Sequence, residues 1–200
     1  MKHKRLYYVI HKPYKVLSQF SDENENPGLG QLYQLPKDIY PVGRLDLDSE
    51  GLLILTNDKK LNHQLLNPKQ AHKRTYWAEV EGIPTEESLN VFRKGVTIKI
   101  NGKAYITLPA EVEILKEVNL PERNPPVNYT KHPVRCWLEI KLTEGKNRQV
   151  RRMTAAIGHP TLRLIRVAIE DLQLAPLASG GITQVSENVI LKKLRIQPTT

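Results

Sequence analysis

Cysteine is almost missing from this chain: Cys136 is the one copy in 200 residues. A single cysteine cannot close an internal disulfide or build a cysteine-rich zinc site. It sits in the apolar-alternating run from Val134 to Ile140, where a buried structural thiol is expected, with no activating group nearby to make it catalytic. Long apolar runs are missing too. With no stretch of about 18 apolar residues, no membrane-spanning helix is expected. The opening MKHKRLYYVIHKP, part of a basic stretch from Lys2 to Lys15, has an apolar run too short and too broken for a signal peptide. There is no low-complexity tract and no internal repeat. No Walker loop, Rossmann glycine fingerprint, G-x-S-x-G elbow or His-rich metal pattern occurs. The histidines are scattered, and His159 before Pro160 reads as structural. A reducing cytoplasm fits these absences.

Acidic residues are also in short supply. There are 21 Asp and Glu against 30 Lys and Arg, a formal net charge of +9. Such an excess favours a polyanionic partner, because each neutralised phosphate releases condensed counterions. Charge alone fits a basic protein with no nucleic-acid role equally well. At 40% hydrophobic residues the chain can pack a core, either one domain or one domain of two lobes.

Local pattern gives the elements. Leu6–Ile10 and Val16–Phe20 read as short strands around a turn, followed by the polar loop Ser21–Gly28. The run Leu52–Leu55, bounded by Gly51 and Thr56-Asn57-Asp58, reads as a buried strand. Asp58 is placed to cap a helix carrying Leu61, Leu65 and Leu66. Thr75–Val80 alternates as a strand. Pro84-Thr85-Glu86-Glu87 opens a helix that Gly95 closes. Asn101-Gly102, between Val96–Ile100 and Lys103–Leu108, signals a tight hairpin. Pro121–Pro133 is a proline-rich loop. Arg135–Leu142 is a strand, Asn147–Ile157 a helix, Leu162–Ile169 a strand, and Ser186 is expected to cap a last helix through Leu194. Hairpins and turns dominate the spacing, so the expected class is α+β with a mainly antiparallel, mixed sheet.

Three segments can carry chemistry. In Gly43-Arg44-Leu45-Asp46-Leu47-Asp48-Ser49-Glu50-Gly51, three carboxylates alternate. An extended loop would put them on one face, as a hard-metal site would need. The spacing matches only the start of a calcium loop, and a solvated acidic loop explains the segment as well. The second segment runs from Gly145 to Ile169, with six Lys or Arg and no acid. Arg148, Arg151 and Arg152 share one helical face, where like charges need anions such as phosphates or a buried carboxylate. A solvated basic face is the plain alternative. The third, Lys73-Arg74-Thr75-Tyr76-Trp77, sets aromatics beside basic residues, as a base-stacking platform or as ordinary strand packing.

Taken in order, these segments resemble the signatures of the RsuA-type RNA pseudouridine synthases. Val42-Gly43-Arg44-Leu45-Asp46 with Gly51–Asp58 is similar to the catalytic loop. Lys73-Arg74-Thr75-Tyr76 with Val80-Glu81-Gly82 resembles the second motif. Gly145–Met153, then Gly158-His159-Pro160 and Leu162–Val167, resembles the third, and His11–Leu17 the opening strand-turn. The likeness spans roughly residues 6–170 and is greatest to the short RluE subgroup, which acts on 23S ribosomal RNA. Ser49 stands where threonine is usual. Leu177–Thr183 replaces the family's Pro-Gly-x-Trp-Arg run, a change that bears on the substrate.

The resemblance implies a pseudouridine synthase fold in two lobes around a basic cleft. It implies one catalytic domain over residues 1–200 with no separate N-terminal RNA-binding domain, and neither cofactor nor metal. Asp46 would be the catalytic carboxylate, either nucleophile at the ribose or base abstracting a ribose proton. Arg151 would keep it ionised and oriented. Tyr76 would stack on the uracil, with Leu164 and Ile165 lining the pocket. Arg44 would fill the space left by the flipped base, and Lys146, Arg148, Arg152, Arg163 and Arg166 would grip phosphates. The implied partner is RNA, acted on by a monomer in the cytoplasm away from any membrane. Two other readings stand beside it: a non-catalytic RNA-binding module, and a metal-dependent nuclease built on Asp46, Asp48 and Glu50.

Overall fold

The structure is a computed structural model that describes residues 4–197. Lys2 of the basic opening therefore lies outside the described residues. In chain order the elements are β1 (Tyr7–Lys12), β2 (Tyr40–Pro41), β3 (Glu50–Thr56), α1 (Lys59–Leu66), β4 (Arg74–Glu81), α2 (Glu86–Lys94), β5 (Thr97–Ile100), β6 (Lys103–Ile106), β7 (Glu111–Leu115), β8 (Arg135–Leu142), α3 (Gln149–Ala156), β9 (Thr161–Ile169), β10 (Leu172–Gln173), β11 (Ile182–Val185) and α4 (Glu187–Lys193). They form two compact units, Met1–His72 with Arg166–Thr200, and Lys73–Ile165. Every strand pairing described within them is antiparallel. This is the expected α+β class. No helix among the described residues is long and apolar enough to cross a membrane.

The first unit is built on β3, whose seven residues are all buried. β1 lies antiparallel along it, with Val9 opposite Ile54 and Ile10 opposite Leu53. β11 covers the other edge of β1, and β2 pairs with the end of β3. Asp58 caps α1 as expected, accepting from the N–H groups of Lys60 and Leu61. Its second oxygen accepts from the Tyr7 hydroxyl at 2.8 Å. Leu61 and Leu65 are buried on one face, whereas Leu66 is 44% exposed.

Val16–Phe20 is not a strand. Its main chain is spent on the loop that follows: Leu17 N–H donates to Pro27, and the carbonyls of Gln19 and Phe20 accept from Leu29 and Gly30. These bonds fold the segment back on itself, so it has no straight edge to offer a sheet. Ser186 does occupy the position before α4, but its side chain makes no cap hydrogen bond.

In the second unit β4 pairs with β8 from Arg74–Leu142 to Glu81–Arg135, and β7 adds to the far edge of β8. The buried core includes Val80, Phe92, Leu138, Ile140 and Met153. The Thr85 hydroxyl caps α2 by accepting from Ser88 N–H, and Gly95 ends it. β5 and β6 form the expected hairpin. Asn101 and Gly102 both have positive φ, 48° and 79°, the turn that twists with its strands. α3 starts at Gln149 rather than Asn147, because Arg148 takes a left-handed φ of 51°.

Candidate active site

Eight residues join β2 to β3, and Asp46 lies in the middle of them. Their backbone is pinned on several sides. Val42 N–H donates to Ile54 at 2.8 Å, and the Leu47 carbonyl accepts from Lys15 N–H at 2.9 Å. The Ser18 hydroxyl does double service at Leu45, accepting from its N–H at 2.9 Å and donating to its carbonyl at 2.8 Å. Ser49 N–H donates to the Asp46 carbonyl at 3.0 Å and closes a turn. Leu45 is buried, Asp46 half-buried and Arg44 exposed. The main chain is thus fixed on both sides of Asp46.

Gly51, just past the loop, has a φ of 110°, and a Cβ there would come within 2.3 Å of the Arg166 carbonyl. Only glycine fits both demands. The turn at Asp46–Ser49 also means that the loop is not extended, so the three acids do not form the single row a metal site would need. Glu50 is 2% exposed within β3. Among the described residues no group of three or more His, Cys, Asp or Glu could hold a metal ion.

Lys12 is part of this arrangement, and no site role had been read for it from the sequence. It is fully buried at the end of β1, and its ammonium donates to the carbonyls of Val16 at 2.6 Å and Pro13 at 3.0 Å. Burial pulls its pKa down to about 8. The carboxylates of Glu50, Asp48 and Asp46 oppose that shift, and Arg166 adds to it. The acidic loop thus has a buried positive charge beside it. The available signal was a lysine closing an apolar strand, with three acids on a nearby loop to attract it.

Asp46, Arg44 and Arg166 belong to the first unit; the other predicted site residues belong to the second. Tyr76 lies on β4 opposite Ile140, half-buried against the core. Leu164 and Ile165 are buried neighbours on β9, at 5% and 0% exposure. Arg151, half-buried on α3, donates to the Thr161 carbonyl at 3.3 Å. Arg148 stands exposed ahead of α3. Arg152 donates to the Lys99 carbonyl and to the Asn147 side chain. Arg163 and Arg166 are not at the surface where phosphate contacts were expected. They are 6% and 5% exposed and donate to the carbonyls of Pro121 and Leu52. β9 is buried on both faces from Arg163 to Arg166, so a long cation on either face ends at carbonyls, and nothing in their identity as arginine signals a strand covered on both sides.

Glu79 was also missed. Its carboxylate is 3% exposed and accepts from Arg135 Nε at 3.0 Å, while the Arg135 guanidinium stacks 4.0 Å over the Tyr129 ring. Burial raises its pKa, with Arg135 and Arg163 opposing. This carboxylate ties the proline-rich loop to the sheet. Cys136 is half-buried and its thiol is pushed up by burial, which suits an inert structural thiol.

A carboxylate carried on a loop of pinned main chain, in a chain this basic, suits bond chemistry on a nucleotide within RNA. Comparison settles the class: the chain belongs to the RNA pseudouridylate synthase family, whose model matches residues 6–156. It is therefore an isomerase that converts uridine in RNA to pseudouridine. It is 50% identical over 173 residues to the ribosomal large subunit pseudouridine synthase E of Xanthomonas axonopodis pv. citri, covering 85% of this chain and 88% of that one. It is 46% identical over 178 residues to the enzyme of the same name from Vibrio vulnificus, covering 89% and 74%. A crystal structure of a pseudouridylate synthase superposes with a TM-score of 0.77 at 25% identity, covering 96% of this chain and 74% of that one.

Proposed function

We propose that this chain isomerises one specific uridine of 23S large-subunit ribosomal RNA, as a cytoplasmic monomer that needs neither cofactor nor metal, with Asp46 as the catalytic carboxylate. The substrate reading rests on the printed names of relatives 46–50% identical to it. The residue reading rests on one observation: Asp46 is carried by a loop whose main chain is bonded on both sides of it. A fixed carboxylate is what nucleophilic attack or proton abstraction at a ribose requires. In this proposal Tyr76, Arg151, Leu164 and Ile165 serve the uridine, while Arg44, Lys146 and Arg148 serve the RNA backbone. The two compact units act together as one catalytic domain.

The reaction breaks the bond from N1 to the ribose, forms one from C5, and releases the C5 hydrogen to water. The experiment is tritium release from 23S transcript carrying 5-tritiated uridine. Asp46→Asn removes the charge with little change of shape, so release is expected to stop while RNA binding is kept. Near-normal turnover by Asp46→Asn would remove the carboxylate from the mechanism. Release that persists in excess EDTA on a short unstructured substrate is the expected outcome. Loss there, restored by magnesium, would revive the reading of Asp46, Asp48 and Glu50 as a metal site.

A further inference from the structure

The second unit holds a basic surface of which the third motif supplies only Lys146 and Arg152; the rest comes from the β5–β6 hairpin. Between Val91 and Ala110 the chain carries Arg93, Lys94, Lys99 and Lys103 and no acid. The stretch from Gly145 to Ile169 is equally free of acids, and the fold brings its start against the β5–β6 hairpin. Glu144 is the joint. Its carboxylate accepts from the Tyr105 hydroxyl of β6 at 2.7 Å, from Leu108 N–H at 2.8 Å and from Gln149 Nε2 at 2.6 Å. Gln149, 4% exposed, turns its other end to accept from Lys146 N–H at 2.9 Å. The Lys146 ammonium lies 4.8 Å from the centre of the Tyr105 ring. Arg152 closes the far side, donating to the Lys99 carbonyl of β5 and to Asn147.

Two acid-free segments are thus fastened together by one carboxylate and one guanidinium. Those two groups are used up in the fastening. Lys99, Lys103 and Lys146 remain exposed around it. Like charges held together on a built frame are costly unless a partner supplies anions.

We propose that the β5–β6 hairpin and the turn from Glu144 to Arg152 form a second RNA-backbone contact, in which Lys99, Lys103 and Lys146 meet phosphates. Glu144 and Arg152 are its positioning residues. This rests on the pseudouridine synthase reading and adds to it where the RNA outside the target uridine is held. It also moves Arg152 from phosphate contact to brace.

The test uses the full chain and 23S transcript, with binding measured across a salt series and turnover by tritium release. The double variant Lys99→Gln/Lys103→Gln removes exposed charges only. Its log-log salt slope is expected to be shallower by about 1.4 to 1.8, at 0.7 to 0.9 per lost contact, and its loss in kcat/KM to fall on KM. Glu144→Ala is the sharper probe. It makes the chain more positive, so simple electrostatics predicts tighter binding, whereas loss of the brace predicts weaker binding at an unchanged thermal midpoint. If Glu144→Ala lowers the midpoint, the double lysine variant alone decides. Unchanged affinity and salt slope in that variant would overturn the surface. A wild-type chain that binds RNA with the expected slope but releases no tritium would instead overturn the activity and leave the surface standing.

Discussion

In the proposed mechanism Asp46 acts only while its backbone stays where the sugar will be, and Ser18 fixes the residue before it. One hydroxyl satisfies both the N–H and the carbonyl of buried Leu45. Ser18→Ala leaves both unpaired, at about 1–3 kcal/mol for each group left unsatisfied. The expected result is a measurable drop in urea stability, with kcat falling more than RNA affinity. Equal losses in kcat and affinity would argue against a positioning role. Lys12 makes a pH statement. Its pKa in the fold is about 8 against an ordinary 10.5. Between those values the unfolded chain keeps a proton that the fold releases, so stability from this group rises with pH. The full span is worth about 3 kcal/mol. Tyr7 and Tyr33 act in the other direction: burial raises both phenols, Tyr33 to about 12. Above pH 10 the unfolded chain loses protons that the fold retains, and stability falls. Unfolding curves should therefore show a rise from pH 8 to 10 that Lys12→Met abolishes; the same slope in both proteins would refute the assignment.

Elements were legible where their signals are local. The Asn101-Gly102 hairpin, the Asp58 cap, the helix opened by Pro84-Thr85-Glu86-Glu87 and the Gly95 stop all formed as read, because each is decided within about four residues. Asp58 shows the cap extended by tertiary structure, since it also accepts from the Tyr7 hydroxyl. Tyr7→Phe should cost about 1–2 kcal/mol for that bond, and Asp58→Ala that amount plus about 1 kcal/mol for the cap. Thermal melts of the two single variants and the double would check this. A double variant no worse than Asp58→Ala is expected, because the hydrogen bond is lost only once. Elements decided at long range were not legible. β11 pairs with β1 across most of the chain, and β7, an alternating Glu-Val-Glu-Ile-Leu run, was not read as a strand although it completes an edge of β8. The site divides the same way. Asp46 is proposed from its motif, but the burial of Lys12, Glu79, Arg163 and Arg166 depends on what covers their strands, and that is settled by partners far along the chain.

Across the whole molecule the charge is uneven. The second unit carries sixteen Lys and Arg against ten Asp and Glu, the first fourteen against eleven. With Arg163 and Arg166 buried, the RNA-backbone contacts proposed above are Arg44, Lys99, Lys103, Lys146 and Arg148, each of them exposed. Five such contacts imply a log-log salt slope of about −3.5 to −4.5. Affinity for 23S transcript should then fall on the order of a hundredfold between 50 and 200 mM salt. Such contacts place the RNA but do not read its sequence. Selection must then come from the shape of the RNA and from how cheaply one uridine leaves its stack. Mapping of pseudouridine on transcript treated with the enzyme is therefore expected to find one or very few modified positions. Those positions should lose modification when the local RNA fold is disrupted with the target uridine left in place. A slope shallower than about −2 would mean that few phosphates are held. Equal modification of many unrelated uridines would mean that neither shape nor flipping selects the site, and that specificity is supplied by something other than this chain.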